Sequence, residues 1–259
     1  MASSRTKPVK APPPVLYGKD FARLWDKNWA FFDYDLWPFI RRVVRAKAPV
    51  GRDWLDVCCG TGVLAHLAGE EGYRVTGVDR SPHQLAIAAE RAPEATWICG
   101  DARQLALGRR FDVVTCLFDS LNHLTDERDL ARALRRCAAH LKPCGLFIFD
   151  VLTAEGFQTV WRGADVLRDD GSIVVIEAQF DALDQTGRCH VTGFIRQRSL
   201  WRRFDEEHVE RAYRRDTVEG LLRRAGLSFE CHDAYSFETA RPASERLLYV
   251  CHRAARRSR

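Results

Sequence analysis

The segment Asp56-Val57-Cys58-Cys59-Gly60-Thr61-Gly62, with Asp79 closing the next apolar run from Tyr73 to Val78, constrains this chain more than any other feature. It reads as strand, glycine turn, helix, strand, acid. Leu55, Val57 and Cys58 form an apolar strand end, and Gly60 and Gly62 let the backbone bend and come close to a ligand. Val63-Leu64-Ala65-His66-Leu67-Ala68 then opens a helix whose free N–H groups face that ligand. Asp79 lies 23 residues after Asp56, near the ~20-residue offset at which an acid meets a ribose hydroxyl pair. Ser81-Pro82 starts the next helix, Ser as cap and Pro in the first turn, and presents N–H groups just beyond that acid.

Two ligand classes fit the turn. Gly60-x-Gly62-x-x-Ala65 satisfies the looser dinucleotide fingerprint, which leaves a nicotinamide or flavin oxidoreductase open. Against it stands Asp56, because a pyrophosphate site favours an apolar residue there, whereas an acid suits a cationic group. The chain also lacks a Tyr-x-x-x-Lys pair to carry hydride chemistry.

Apolar strands expected at 54–58, 74–78, 96–99, 112–117 and 146–150 alternate with helical stretches at 63–71, 82–91 and 127–140, a pattern for a mostly parallel sheet covered on both faces. Ligands gather at the strand C-termini of such sheets. Upstream, 21–48 reads as helical and rich in aromatic residues, from Phe21, Trp25 and Trp29 to Trp37 and Phe39. Beyond Asp150, runs at 173–180, 190–195 and 204–213 read as antiparallel strands, with Asp184-Gln185-Thr186-Gly187 as a turn. A helix at 216–225 ending at Gly226, and strands at 227–235 and 246–252, complete the sheet.

In order along the chain, Asp56, Gly60 and Gly62, then Gly100-Asp101-Ala102, then Phe111-Asp112-Val113-Val114-Thr115-Cys116, then Leu141-Lys142-Pro143-Cys144-Gly145-Leu146 resemble four motifs of the class I S-adenosylmethionine-dependent methyltransferases, bacterial small-molecule type. Cys58 and Cys144 stand where that family usually has glycine, which implies ordinary backbone angles at both positions. The resemblance implies an α/β fold: a doubly wound, mostly parallel seven-stranded Rossmann-like sheet with an inserted antiparallel β subdomain and an N-terminal helical cap. It divides the chain into a disordered basic tail (1–14), the cap (15–50), the S-adenosylmethionine-binding core (51–153), a substrate-side insertion (154–213), completion of the sheet (214–252) and a basic tail (253–259).

The same resemblance implies S-adenosylmethionine as cofactor and S-adenosylhomocysteine as product. Asp56, Cys58, Gly60 and Gly62 would form the first cofactor turn, Asp79 with Arg80 the ribose site, and Asp101 with Ala102 the adenine wall. Tyr17 would be a lid residue, Trp25 would stand where the family has a second tyrosine of its cap pattern, and Phe118 and Asn122 would line the pocket facing the methyl group. His123 is a candidate general base, although a histidine at a loop-to-helix junction also serves as a cap or packing residue. On an extended strand Glu206, His208 and Glu210 share one face and Glu207, Val209 and Arg211 the other. Glu206 or His208 would then receive a proton, and Arg211 or Tyr213 would orient the acceptor, unless the strand is only a solvated edge with cross-strand charge pairs.

In-line displacement disperses the sulfonium charge, so alignment and water exclusion can supply most of the catalysis. The expected acceptor is a small molecule methylated at N or O, an amine being favoured because the aromatic segments could contact a cation. RNA or protein methylation, and binding of S-adenosylmethionine without methylation, stay open. The histidines lack the paired spacing of a metal site, and none is expected.

The net charge of +5 does not by itself argue for nucleic acid. Seven of the 40 basic residues lie in 1–14 and 252–259, segments without an acid, and the rest are slightly outnumbered by the 35 acidic ones. Nucleic-acid binding is therefore not expected. Nine cysteines scattered without a framework point to reduced thiols and a cytoplasmic location. No run reaches the ~20 apolar residues of a membrane span. Monomer and homodimer are both compatible with the sequence.

Overall fold

The computed structural model describes residues 17–47 and 51–253, so the expected basic tails lie outside the described residues except for Arg253. Two helices, α1 (Lys19–Trp29) and α2 (Phe31–Lys47), stand where one is expected over 21–48. The break at Ala30 lets their apolar faces turn to different neighbours. Phe21, Leu24 and Trp25 of α1 join a cluster with Val174, Cys189 and Val191, whereas Phe32, Leu36 and Ile40 of α2 join Trp54, Val113 and Ile148.

The core follows as β1 (Asp53–Val57), α3 (Val63–Glu70), β2 (Arg74–Asp79), α4 (Pro82–Arg91), β3 (Thr96–Cys99), β4 (Phe111–Cys116), α5 (Glu127–Ala139) and β5 (Leu141–Leu152). Leu55, Val57, Val113 and Val114 are fully buried, as expected for parallel strands covered on both faces. Ser81 caps α4 by accepting from Gln84 N at 3.2 Å, with Pro82 in the first turn. Then come α6 (Ala154–Val160), β6 (Gly163–Arg168), β7 (Ser172–Asp181), β8 (Thr186–Gln197), β9 (Leu200–Arg211), α7 (Arg215–Arg224), β10 (Leu227–Asp233) and β11 (Arg246–Arg253).

Seven strands form one sheet in the order β3-β2-β1-β4-β5-β11-β10. β11 runs antiparallel to both of its neighbours, and the other pairs are parallel. The order reverses between β1 and β4, and the crossovers leave a crevice at the strand C-termini there. The second sheet, β6-β7-β8-β9, is antiparallel throughout. Gly193 on β8 makes room for Phe204 opposite it on β9, because a Cβ there would lie 2.0 Å from the ring.

Two elements after Asp150 gave no periodic signal. The seven-residue α6 is too short for one and is marked only by its cap, Thr153, which accepts from Gly156 N. The edge strand β6 is almost wholly exposed, so its side chains do not alternate in polarity. Among the described residues no helix is long and apolar enough to cross a membrane, and the nine cysteines are all unpaired.

Candidate active site

A cavity of about 340 Å³ opens at the crevice between β1 and β4. Its floor begins at Asp56, the buried penultimate residue of β1. Trp54 Nε1 donates to Thr115 Oγ1 at 2.9 Å, and that hydroxyl donates to Asp56 Oδ1 at 2.7 Å. The chain of bonds aims the carboxylate across the strand pair. Burial pushes its carboxyl well above the ordinary value, with the Thr115 hydrogen bond opposing.

The turn that follows corrects the expectation for Cys58. Its φ is +57°, in the left-handed region, together with Gly60 (+54°) and Gly62 (+76°). Cysteine therefore occupies a strained conformation here that glycine adopts freely. Only two of the three positions face the cavity. Cys58 and Gly60 line it, and a Cβ on Gly60 would come 2.7 Å from Gln84 Oε1. Gly62 instead lies against Trp97 and α4, where a Cβ would sit 2.7 Å from the Trp97 ring and 2.9 Å from Ala88 Cβ. Its role is close packing of the helix on the sheet, which removes it from the cofactor wall. Gly62→Ala is expected to destabilise the protein by about 1–3 kcal/mol, from overpacking and the positive φ together, measured by urea unfolding.

Asp79 closes this side. Its carboxylate accepts from Gly60 N at 3.0 Å and Ser81 N at 2.8 Å, so the acid and the glycine turn are held as one unit. Burial raises its carboxyl, and the backbone donors act against that. Asp101 and Ala102 line the neighbouring wall. Hydrogen bonds from Arg103 hold the Asp101 carboxyl below the usual range, and Arg80 approaches it at 3.8 Å. The residues present fit an adenosyl ligand. Asp79 keeps acceptor capacity for a diol, and Gln84 Oε1 lines the cavity, buried and without a partner.

The opposite side is built by the loop after β4. Phe118 and Asp119 both have positive φ. Asp119 N donates to Asp150 Oδ2 at 3.0 Å, and Arg246 bridges the two acids, Nη1 to Asp150 at 2.5 Å and Nη2 to Asp119 at 2.9 Å. The guanidinium also lies over the rings of Phe32 (4.5 Å) and Phe118 (5.5 Å). Phe118 is thus pinned against the cavity, where Trp25 meets its ring edge to face at 5.4 Å.

Tyr17 and His123 line the same cavity. Tyr17 Oη lies 3.3 Å from His123 Nε2, which is also 3.3 Å from Glu210 Oε1. Burial pushes the imidazole down to about 4 and Glu210 well above its ordinary value. The ring is therefore neutral over the ordinary pH range. Glu206 accepts from Tyr17 N at 2.8 Å and Gly18 N at 2.7 Å, which ties the start of the cap to β9.

The alternation expected along 206–211 is present, with Glu206, His208 and Glu210 buried and Glu207 exposed. On that face Glu206 and His208 pack on the cap, and Glu210 lies behind His123. His208 sits behind Tyr17 and Phe21, ring centroids 5.1 and 5.0 Å away, and neither His208 nor Glu206 reaches the cavity wall. Three further expected site residues are also placed outside it. Asn122 spends its amide on Leu152 O (2.9 Å) and Arg211 O (2.8 Å), and its oxygen accepts from Leu152 N, so it staples β9 to β5. Arg211 donates to Thr125 O and stacks on Tyr213, whose hydroxyl donates to Leu124 O. These two brace the segment after His123.

Asp33, Glu210 and Arg246 were missed by the sequence reading. Glu210 was legible only as a member of the Glu206 face, and Asp33 was hidden in an aromatic run. Arg246 carried no local signal at all. Among the described residues, no group of three or more His, Cys, Asp or Glu could hold a metal ion.

Residues 55–145 match a family described as a methyltransferase domain. The chain is 32% identical over 231 residues, 85% of its own length and 88% of the relative's, to a dTDP-3-amino-3,6-dideoxy-alpha-D-glucopyranose N,N-dimethyltransferase of Streptomyces fradiae. Among solved structures, it is similar to an S-adenosylmethionine-dependent methyltransferase from Clostridium acetobutylicum, with 28% identity, TM-score 0.81 and coverage of 91% of this chain and 98% of that one. It is also similar to the sugar N-methyltransferase KedS8 from a Streptoalloteichus species, with 27% identity, TM-score 0.75 and coverage of 98% and 99%.

Proposed function

Because the chain belongs to the class I S-adenosylmethionine-dependent methyltransferases, we propose that its acceptor is the amino group of a small molecule, an amino sugar carried on a nucleotide being the favoured class. When bound, S-adenosylmethionine supplies an electrophilic methyl group. The chain's own residues align the acceptor, exclude water and take up its proton. Orientation of this kind can supply about 7–11 kcal/mol of the barrier.

The observation that carries this reading is the Tyr17–His123–Glu210 arrangement at the cavity wall. An amine arrives at neutral pH as an ammonium and must lose a proton before its lone pair can attack. His123 is neutral and lines the cavity, and Glu210 behind it, once ionised, offsets the charge that a proton on the ring would create. Support for a sugar acceptor comes from the names of the similar Streptomyces and Streptoalloteichus enzymes.

The test is methyl transfer to nucleotide-linked amino sugars against catechol and peptide acceptors, with product mass read out. Labelling only of catechols or peptides would overturn the proposal. His123→Asn is expected to lower kcat/KM for an amine by about 10²–10⁴-fold. Below its raised value Glu210 is protonated and no longer offsets a charge on the ring, so wild-type kcat/KM should fall as pH falls through that value. That acid limb should flatten in the variant.

A further inference from the structure

Asp33 stands in the first turn of α2 and lines the cavity, but it has no hydrogen-bond or ion-pair partner among the described residues. The charged groups facing it come from four other elements. They are Asp56 of β1, Asp150 of β5, Asp26 of α1 and Arg91 of α4. The single cation among them is already engaged, since both terminal nitrogens of Arg91 reach Asp26 at 2.8 Å and one also reaches Thr61 O at 2.7 Å. Asp150 has Arg246. Asp33 and Asp56 therefore both line the cavity as carboxylates that feel each other's charge, with no cation among the described residues left to balance them. Arg80, the cavity's own arginine, approaches Asp101 beside Asp79 instead.

We propose that Asp33 is the cap's binding residue for the α-ammonium group of S-adenosylmethionine, gripping it from α2 while Asp56 faces it from β1. The inference rests on S-adenosylmethionine being the ligand of this cavity. Of that ligand's two positive centres only the ammonium carries N–H donors, so only it gives an unpartnered carboxylate charge-assisted hydrogen bonds. The acceptor's own ammonium belongs elsewhere, near His123, and Asp33 is not among the charged groups that face that ring. Cofactor binding then pulls the cap onto the core through one side chain.

The protonation state of Asp33 makes this measurable. Burial, and then the charge of Asp150, push its carboxyl up to about 7. A bound ammonium favours the ionised form, so binding near pH 7 releases a proton, and affinity falls as pH drops below that value.

Calorimetric titration with S-adenosylhomocysteine, which keeps the α-ammonium but has no methyl to transfer, and with 5′-methylthioadenosine, which lacks the amino-acid portion, tests this. Each is run on wild type and Asp33→Asn at pH 7 in two buffers of different ionisation enthalpy. Asp33→Asn should weaken S-adenosylhomocysteine by about tenfold or more and reduce its proton release, while 5′-methylthioadenosine binding stays the same. Equal weakening of both ligands would reduce Asp33 to a structural role and overturn the proposal. Unchanged affinity and proton release for S-adenosylhomocysteine would overturn it too. Failure of wild type to bind either adenosyl compound would instead count against the cavity as the cofactor site.

Discussion

Asp79→Ala is expected to raise the Kd for S-adenosylmethionine by about 10²–10⁴-fold, the loss of two hydrogen bonds to a charged acceptor at about 1.5–3 kcal/mol each. The carboxylate already accepts from Gly60 N and Ser81 N. Those bonds hold it with its remaining lone pairs toward the cavity. Alanine removes both the contacts expected to the ribose diol and the anchor of the glycine turn. The two N–H groups released face a cavity that water can enter, so the unfolding midpoint should move little. Asp79→Asn keeps one acceptor oxygen and should fall between wild type and alanine. Isothermal calorimetry gives the affinities and urea unfolding the stability. An unchanged affinity in the alanine variant would mean that the ribose is held by other residues.

Arg246→Met should cost about 3–5 kcal/mol of stability, because it leaves buried carboxylates without their cation. Asp150 is fully buried and Asp119 nearly so, and they share this one guanidinium. The penalty should depend on pH. Burial already raises the Asp150 carboxyl, and loss of the arginine raises it further, so protonation relieves the variant. The difference from wild type should be larger at pH 8 than at pH 5, measured by urea unfolding at both. Adding Asp119→Asn and Asp150→Asn to Arg246→Met should recover part of the loss. The single variant should also lower kcat, since Phe118 and Asp119 hold positive φ only while this ion triad over-determines the loop.

The nucleotide half of the site was legible because its parts are close in sequence. Asp56, the Gly60 turn, Asp79 and the Ser81 cap follow one another within about a single strand-helix-strand unit, and each has a local reason for its residue type. The parallel sheet was legible for the same reason, from apolar runs alternating with helical ones. Residue type was a poorer guide to which side of an element a group faces. Gly62 belongs to the turn by sequence but to the Trp97–Ala88 contact in space. Cys58 passed for an ordinary position because a backbone angle leaves no mark on the letter that adopts it.

The sequence alone determined the family, the cofactor and the mostly parallel sheet, since these rest on short-range patterns of glycine, acid and apolar residues. Only the tertiary structure decided which polar groups meet at the reacting end. Asn122 reaches β9 across 89 residues, Arg246 reaches Asp119 across 127, and Tyr17 meets His123 across 106. Contacts at such separations are set by how the cap and the antiparallel sheet pack on the core. That packing turned three expected pocket residues, Asn122, Arg211 and Tyr213, into braces and brought Asp33 and Glu210 into the site.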